Sequence, residues 1–363
     1  MKILSTVPKG FCCQRALTLF LALALPASLR AQQPTGSSLA HIPSPFETIK
    51  DKREFNAVQF GPGNSFSVAK TPPDFHLNAF AIGGDGRLLA MGWESGRIEI
   101  WDIQTKKRIS EFKSGIGSPI FLDFNAQNKE LLIVGREGKI VFLELPNGKK
   151  SKSLTIPLGK YKYDVQQVVL DPGGKWLAYA DEESSKVLDI TSDPPRQIAD
   201  LKDAGSLCLS QDGTSLWTVN RTELTSLNVG NWQLVGNWPL KSPAIQTAPT
   251  LVRSGVSPEG KQTAAVPSSK GLIIYTAPEM TAEYATDQPT SAVAFAPGKN
   301  TFVNLSRQIS FFTGAGKLLC SKSYENRVGV DISGDGQWLA ISQFNKIDLW
   351  RMEDLLRDCS VAQ

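Results

Sequence analysis

The sequence has little histidine, and it lacks the short motifs that mark most enzyme families. Only His41 and His76 occur among 363 residues, and neither lies near a serine in a strained G-x-S-x-G turn. Two isolated histidines do not provide the ligand set of a histidine-based metal centre. The chain also contains no C-x-x-C pair, no P-loop and no dinucleotide-binding glycine pattern. We therefore expect no catalysis, no cofactor and no metal.

Cysteine is also scarce. Of the five cysteines, Cys12 and Cys13 precede an apolar run near the N-terminus, which is the wrong place for a lipid-modified N-terminal cysteine. The other three are too few for a disulfide scaffold. Cys320 falls in a predicted outer strand and Cys359 in the C-terminal tail, so we expect either a bridge that pins the C-terminus or free thiols at both positions. Cys208 falls in a predicted inner strand and is expected to be an inert buried thiol.

An excess of one charge is absent once the first residues are set aside. Residues 1–31 carry Lys2, Lys9, Arg15 and Arg30 and no acidic residue, and the rest of the chain holds 35 basic and 35 acidic residues. A neutral chain has no electrostatic reason to bind nucleic acid or an anionic membrane. We expect no nucleic-acid partner.

The first 31 residues have the order of a secretory signal peptide. Basic residues precede an apolar run centred on Ala16–Leu25, and small residues follow before Gln32. The alternative is a membrane anchor, but the run is shorter than the ~20 residues that span a bilayer, and no other stretch is long and apolar enough. We expect cleavage after Ala31 and export, either to the periplasm or out of the cell. Residues 32–53 are rich in proline, serine and charge and predict a flexible tether.

Helical periodicity is missing up to residue 350, and a β-rich pattern repeats in its place. Each unit has an apolar strand, a polar turn, a second apolar strand, another turn and a third strand that ends near an aromatic residue. The residues of the first turns tolerate positive φ and suit tight reversals. These turns are Asp85-Gly86, Asn128-Lys129, Gly173-Gly174, Asp212-Gly213, Glu259-Gly260, Gly298-Lys299 and Asp335-Gly336, spaced 37–47 residues apart.

A four-stranded unit with a period of roughly 40–45 residues is typical of a β-propeller blade. Seven units cover residues 76–352, and the seventh has only three clear strands. The segment SFSVAKT, Ser65–Thr71, has no partner nearby and is predicted to supply the outer strand of the last blade, which closes the ring. We predict an all-β, seven-bladed β-propeller over residues 54–363, with one short turn of helix in MEDLLRD near the C-terminus.

The segment LNAFAIGGDGRLLAMGWESGRIEIWDIQTKKRISEF resembles a WD40 repeat, and VGVDISGDGQWLAISQFNKIDLW is similar. DPGGKWLAYADEES and SGDGQWLAIS also resemble units of exported bacterial propellers of the TolB-like kind. The Gly-His dipeptide of WD40 units is absent, and Trp-Asp occurs only at Trp101-Asp102. The family's buried His–Asp–Ser/Thr–Trp network therefore cannot form. We expect Trp101 to pack within a third strand and Asp102 to lie in the turn that ends it.

Two carboxylates recur at one position of the predicted innermost strands. Asp123 and Asp331 occupy it in blades 2 and 7, and the other blades have small, apolar or thiol side chains there. Two carboxylates are too few for a calcium site, which takes six to eight oxygens. We expect both to accept hydrogen bonds from the backbone of neighbouring blades beside a wet channel.

The turns between second and third strands provide the candidate partner site. They should share one rim of the disc with the loops that enter the innermost strands, and this rim is rich in the arginine and aromatic residues that interface cores use. The candidate partner-binding residues are Arg136, Arg221, Arg307, Phe344, Tyr161, Tyr163, Tyr324 and Arg327. The alternative is that these are ordinary solvated turn residues.

The leading hypothesis is an exported, non-enzymatic and monomeric propeller scaffold that binds a protein or peptide partner through this rim. A second hypothesis is a structural component of a cell-envelope assembly, positioned by the tether. A third is a propeller hydrolase or lyase acting on a carbohydrate or another small ligand. That activity would need carboxylates, histidine or arginine converging at the channel mouth, and the sequence offers few.

Overall fold

The computed structural model divides the chain into two units, Met1–Leu39 and Ala40–Gln363, and every described residue belongs to the second. The structure describes residues 40–361 except for 42–46, 51–55, 61–65, 71–75, 126, 136, 157–164, 166, 182–184, 202–204, 211, 221, 241–252, 257–261, 269–270, 277–280, 287–289, 291, 297–300, 307, 324–328 and 343–345. In β1–β4 below, and in parts of the fifth blade, it describes the backbone alone.

The described strands are numbered in chain order. Four precede the repeats: β1 Ala40–His41, β2 Glu47–Lys50, β3 Asn56–Phe60 and β4 Phe66–Lys70. Blade 1 contains β5 Leu77–Ile82, β6 Leu88–Trp93, β7 Arg97–Asp102 and β8 Lys107–Lys113. Blade 2 contains β9 Pro119–Phe124, β10 Glu130–Gly135, β11 Lys139–Glu144 and β12 Lys149–Thr155. Blade 3 contains β13 Gln167–Leu170, β14 Trp176–Ala180, β15 Ser185–Asp189 and β16 Arg196–Asp200.

The second half of the chain repeats this order. Blade 4 contains β17 Ser206–Leu209, β18 Ser215–Val219, β19 Glu223–Asn228 and β20 Leu234–Pro239. Blade 5 contains β21 Arg253–Val256, β22 Gln262–Ser268, β23 Gly271–Thr276 and β24 Thr281–Thr286. Blade 6 contains β25 Ala292–Ala296, β26 Thr301–Leu305, β27 Gln308–Thr313 and β28 Leu318–Ser323. Blade 7 begins with β29 Gly329–Ile332, β30 Trp338–Ser342 and β31 Lys346–Arg351, and the helix α1 Met352–Val361 follows.

The seven sheets form a closed ring. In blades 1 to 6 the four strands pair antiparallel in chain order, and the first strand of each blade contacts the first strand of the next, with β29 returning to β5. Seven hydrophobic clusters fill the seven blade interfaces. The cluster that joins the last blade to the first packs Trp93 and Trp101 against Trp338 and Leu349. The predicted all-β, seven-bladed β-propeller is confirmed.

The predicted closure by the N-terminal segment is also confirmed. β4 pairs antiparallel with β31, with Leu349 opposite Phe66 and Ile347 opposite Val68. β3 and β2 then extend the same sheet to six strands. In the other six blades a β-bulge interrupts the pairing of third and fourth strands, whereas the pairing of β31 with β4 has none. A bulge bends and twists a strand, so blade 7 differs from its neighbours at its outer edge.

The first turns reverse the chain as the sequence predicts. In five blades the fourth turn residue donates its N–H to the carbonyl of the first, as Gly86 does to Gly83 at 2.9 Å. That fourth residue has positive φ in each of them, and it is glycine except at Asn128 of blade 2. The turns predicted at Glu259-Gly260 and Gly298-Lys299 lie outside the described residues.

The segment predicted as a tether, residues 32–53, differs from expectation in two places. Ala40–His41 pairs in parallel with Lys322 and Ser323 of blade 6, and Glu47–Lys50 pairs with β3. These residues form strands because outer sheet edges offer unpaired backbone groups that an extended segment can satisfy. The predicted short helical turn is also longer than expected, since α1 has ten residues.

Candidate functional site

The partner-binding residues predicted from the sequence lie outside the described residues, so their role stays a prediction. This applies to Arg136, Arg221, Arg307, Phe344, Tyr161, Tyr163, Tyr324 and Arg327. The strands that flank them are described. Because the strands of a blade run antiparallel, second strands end and third strands begin at one rim, where first strands also begin. We call this the upper rim, and the opposite one, with the first turns, the lower rim.

One described part of the upper rim is a fixed corner between blades 1 and 2. An added Cβ at Gly96 would lie 2.7 Å from the carbonyl oxygen of Gly117, so the blade 1 turn touches the loop that enters blade 2. Ser114 Oγ donates to the same oxygen at 3.2 Å. Glu94 and Glu137 are exposed here, and Glu137 pairs with Lys139 at 2.9 Å. The corner can present acidic groups at defined positions.

The two inner-strand aspartates are engaged with backbone groups. Asp331 Oδ2 accepts from the N–H of Ile82 in blade 1 at 3.2 Å, which is the cross-blade bond expected from the sequence. Asp331 Oδ1 accepts from Ile332 N at 2.9 Å, and Asp123 Oδ1 accepts from Phe124 N at 2.8 Å. Their described role is to fix innermost strands.

Blade 1 contains a buried ionic network that the sequence did not reveal. Arg97, Glu99 and Trp101 alternate along β7, so they share the face that packs against blade 7. Glu99 is fully buried; its Oε1 lies 2.8 Å from Arg97 Nη2 and 3.9 Å from Arg108 Nη1. Trp101 Nε1 donates to Glu99 Oε2 at 3.0 Å. Burial raises the pKa of Glu99, against the opposing effects of Arg97 and of the Trp101 hydrogen bond.

This network corrects the expectation for Trp101. The side chain packs in the cluster between blades 7 and 1 as predicted, but its indole N–H is also part of a polar network, with glutamate in place of the WD40 partners. Asp102 lies at the strand end and caps the turn, where its Oδ1 accepts from Thr105 N at 2.7 Å. Although burial opposes it, the hydrogen bonds from Thr105 and Arg87 lower the pKa of Asp102.

Blade 4 contains a tandem hexapeptide, Val-Gly-Asn-Trp-x-Leu, at 229–234 and 235–240. The two copies differ only at the fifth position. The first copy covers the turn after β19 and the second forms β20. Trp232 of the first copy packs edge-on against Trp176 of blade 3, with ring centroids 5.0 Å apart. Trp238 of the second copy stacks on the buried Trp217, with centroids 5.9 Å apart. A search for short repeats would have found this pair.

A cavity of about 270 Å³ lies between blades 2 and 3 at the lower rim. Phe142 and Leu132 give it an apolar wall, and Lys152 and Glu130 are its charged lining residues. Lys152 Nζ contacts the carbonyl of Ile190, and Glu130 Oε1 accepts from Ser151 Oγ at 2.7 Å. Both charges are therefore engaged with the protein. The cavity could hold a small polar molecule.

The described residues contain no group of three or more histidine, cysteine or acidic side chains placed to hold a metal ion. Among them, no helix is both long and apolar enough to cross a membrane.

The cysteines occupy the predicted positions in the fold. Cys320 in β28 and Cys359 in α1 form a disulfide, with Cα atoms 5.4 Å apart. Cys208 in β17 is a buried thiol outside this disulfide, and its Sγ donates to the carbonyl oxygen of Leu209 at 3.4 Å.

Comparisons with known proteins support the fold and leave the family open. No family model matches the chain. TBC1 domain family member 31 of Xenopus laevis is 23% identical over 208 residues, which cover 52% of this chain and 18% of that protein. The chain thus spans less than a fifth of that relative's length.

A solved structure also resembles this chain. The β-propeller domain of Cps50 (Swd1) from Myceliophteria thermophila superposes with a TM-score of 0.62 at 14% identity, covering 76% of this chain and 97% of that domain. An identity this low shows the fold alone. The structure and this likeness together define the fold of the protein as a seven-bladed β-propeller.

Proposed function

We propose that this chain is an exported, non-enzymatic scaffold of the divergent WD40-like or TolB-like kind, which binds a protein or peptide partner through its upper rim. The observation that carries the proposal is the closure of the ring. β4 from the N-terminal side completes blade 7, and the Cys320–Cys359 bond ties α1 to blade 6. A closed ring is a rigid framework, and a surface built on a rigid framework loses less entropy when a partner binds.

Two features support export. The first 31 residues have the order of a signal peptide. The distance of 5.4 Å between the Cα atoms of Cys320 and Cys359 falls in the usual disulfide range, and disulfides persist mainly in oxidising compartments. N-terminal sequencing of the native protein should begin at Gln32, and a thiol count without reductant should find one free cysteine. An intact N-terminus, or three free thiols, would contradict export.

The rim proposal is tested by charge reversal. The mature protein is first used to capture its partner from the native cell envelope. The variant with Arg136→Glu, Arg221→Glu and Arg307→Glu should then lose the captured partner. The matched control reverses three exposed lysines of the lower rim, Lys129, Lys175 and Lys317, and should retain it. Equal binding by both triple variants would reject the upper rim.

The same experiment separates the proposal from a structural role in the envelope. A component of a fixed assembly would cross-link to the same neighbours in the native envelope whether or not the three arginines were reversed. A partner held by the upper rim would disappear from the cross-linked products of that variant alone.

A further inference from the structure

The outermost strand of each blade exposes one edge of unpaired backbone groups, which natural sheets protect with charged residues or with a covering segment. In this ring nearly every outer edge is protected. Lysine, arginine or an acidic residue occurs in β8, β12, β16 and β24. Blade 6 is partly covered by β1, and blade 7 ends on β2, which contains Glu47 and Lys50.

The edge of blade 4 is the exception among the described strands. β20 has the sequence LVGNWP, and no charged residue occurs from Leu224 to Leu240. Leu234 and Val235 are 61% and 62% exposed, more than any other large hydrophobic residue that the structure describes. A solvent-exposed strand edge with apolar side chains and no charge is a template for pairing with another chain.

The strand is also held rigidly. Trp238 folds back over Gly236, where an added Cβ would lie 2.2 Å from the indole ring, and it stacks on Trp217. Trp232 fixes the preceding turn against Trp176. A strand that is already ordered loses little entropy when a second strand pairs with it.

The molecule itself uses other outer edges for strand addition. β1 adds in parallel to the edge of blade 6, and β4 adds antiparallel to the third strand of blade 7. Both segments come from the N-terminal side of the chain. The edges that they cover are therefore already occupied.

We propose that the outer edge of blade 4 binds an extended, uncharged, apolar segment of a partner protein by strand addition. The absence of charge on the edge selects an uncharged segment, because a charged side chain would be desolvated there without a partner. Pro239 has no N–H to donate, so the pairing covers Leu234–Trp238.

The probe for the test is an acetylated and amidated heptapeptide of alternating threonine and valine. Its control is the same peptide N-methylated at every residue, which removes the N–H donors of both edges. Hydrogen exchange of the full chain should slow in Leu234–Trp238 with the first peptide and not with the second. Protection of β8 and β20 alike, or of neither, would overturn the proposal.

Variants locate the binding. Val235→Lys places on β20 the kind of charge that the other edges carry, and it should weaken peptide binding by about tenfold, equivalent to about 1.4 kcal/mol. Ile109→Lys, the matched change at an exposed apolar residue of β8, should leave binding unchanged. An unaltered melting temperature for both variants shows that folding is intact. If Val235→Lys bound the peptide as the parent does, the site would lie elsewhere.

Two further measurements test the proposal against a second copy of the chain and against the upper-rim site. A concentration-dependent dimer whose β20 amides are protected without peptide would replace the partner segment with a second copy and overturn the proposal. The triple arginine variant of the upper rim should bind the heptapeptide normally. The rim proposal and the blade 4 proposal can therefore each fail without affecting the other.

Discussion

Blades 1 and 4 have the same four antiparallel strands and the same bulge between the third and fourth. They are stabilised by different interactions, buried ion pairs in blade 1 and aromatic packing in blade 4. Blade 1 buries Glu99 between two arginines and carries ion pairs out to its surface strand, where Arg108 lies 2.7 Å from Glu111. Blade 4 buries Trp217 beneath Trp238 and has no charged residue from Leu224 to Leu240. The blade architecture therefore specifies backbone pairing and burial, and leaves the means of stabilisation open.

The difference has consequences for solution conditions. Apolar and aromatic packing does not change with pH where nothing titrates, whereas a buried carboxylate links folding to protonation. Blade 1 should therefore respond to pH, and blade 4 should not.

The largest effect is expected in blade 4. Trp217→Ala should lower the free energy of unfolding by about 4 kcal/mol, since it removes a buried indole and leaves Trp238 without its stacking partner. The loss should be the same at every pH between about 4 and 8, because the hydrophobic cluster around Trp217 contains no carboxylate and no histidine. Urea unfolding across that range measures both. A loss that varied with pH would break the contrast between the blades.

The second effect concerns Glu99. Glu99→Ala should cost about 3 kcal/mol at neutral pH, because it leaves the Arg97 guanidinium without its buried partner. Glu99→Gln is the matched control, since it keeps an acceptor for Trp101 and is neutral like the protonated carboxyl that burial favours, so it should cost clearly less than Glu99→Ala. Equal losses in the two variants would show that the retained acceptor for Trp101 is immaterial and that the loss comes from the charge of Glu99.

The pH dependence of the same pair follows from the raised pKa of Glu99. A carboxyl whose pKa is higher in the folded than in the unfolded state favours folding when protonated. Its stabilising contribution is complete below the unfolded pKa and is lost as the pH rises through the folded pKa. The wild type should therefore gain stability relative to Glu99→Gln as the pH falls through that window. A gain on raising the pH would contradict it.

Much of the fold was predictable because it depends on short-range signals. Turns such as Asp85-Gly86 require positive φ, and strands such as that of Trp176–Ala180 are apolar at every position, so their spacing gave the blade count. Because Ser65–Thr71 has no strand partner nearby in the sequence, it could be predicted to close the ring as the outer strand of the last blade. β1 and β2 were missed, because they are polar segments that form strands only where another blade's edge is present.

The buried network was missed for a related reason. RIEIWD alternates polar and apolar residues, which is typical of a strand with one solvated face. In a propeller both faces of the third strand are covered, so Glu99 is buried. Whether a polar residue in such a strand is solvated depends on the neighbouring blade, which no local pattern contains.

The tandem hexapeptide of blade 4 allows an internal comparison of two glycines. Gly230 and Gly236 occupy the same position of the repeat, but an added Cβ would meet only Asn228 Oδ1 at 3.1 Å at the first, and the Trp238 ring at 2.2 Å at the second. Gly236→Ala should cost about 2 kcal/mol, since the indole must move off Trp217, and Gly230→Ala less than about 0.5 kcal/mol. Thermal unfolding of both variants measures the difference. Similar losses would mean that Trp238 does not depend on Gly236.

The smallest effect is expected at the surface of blade 1. Glu111 is 39% exposed and pairs with Arg108 at 2.7 Å and Arg97 at 3.7 Å. Exposed ion pairs contribute little, so Glu111→Gln should cost about 0.5 kcal/mol or less, and the loss should vanish in about 1 M salt. Because Arg108 and Arg97 also face Glu99, a double-mutant cycle with Glu99→Gln tests whether the inner and outer carboxylates act together. A coupling energy near zero would confine the stabilising charge of blade 1 to Glu99, and a large one would extend the buried network to the blade's outer strand.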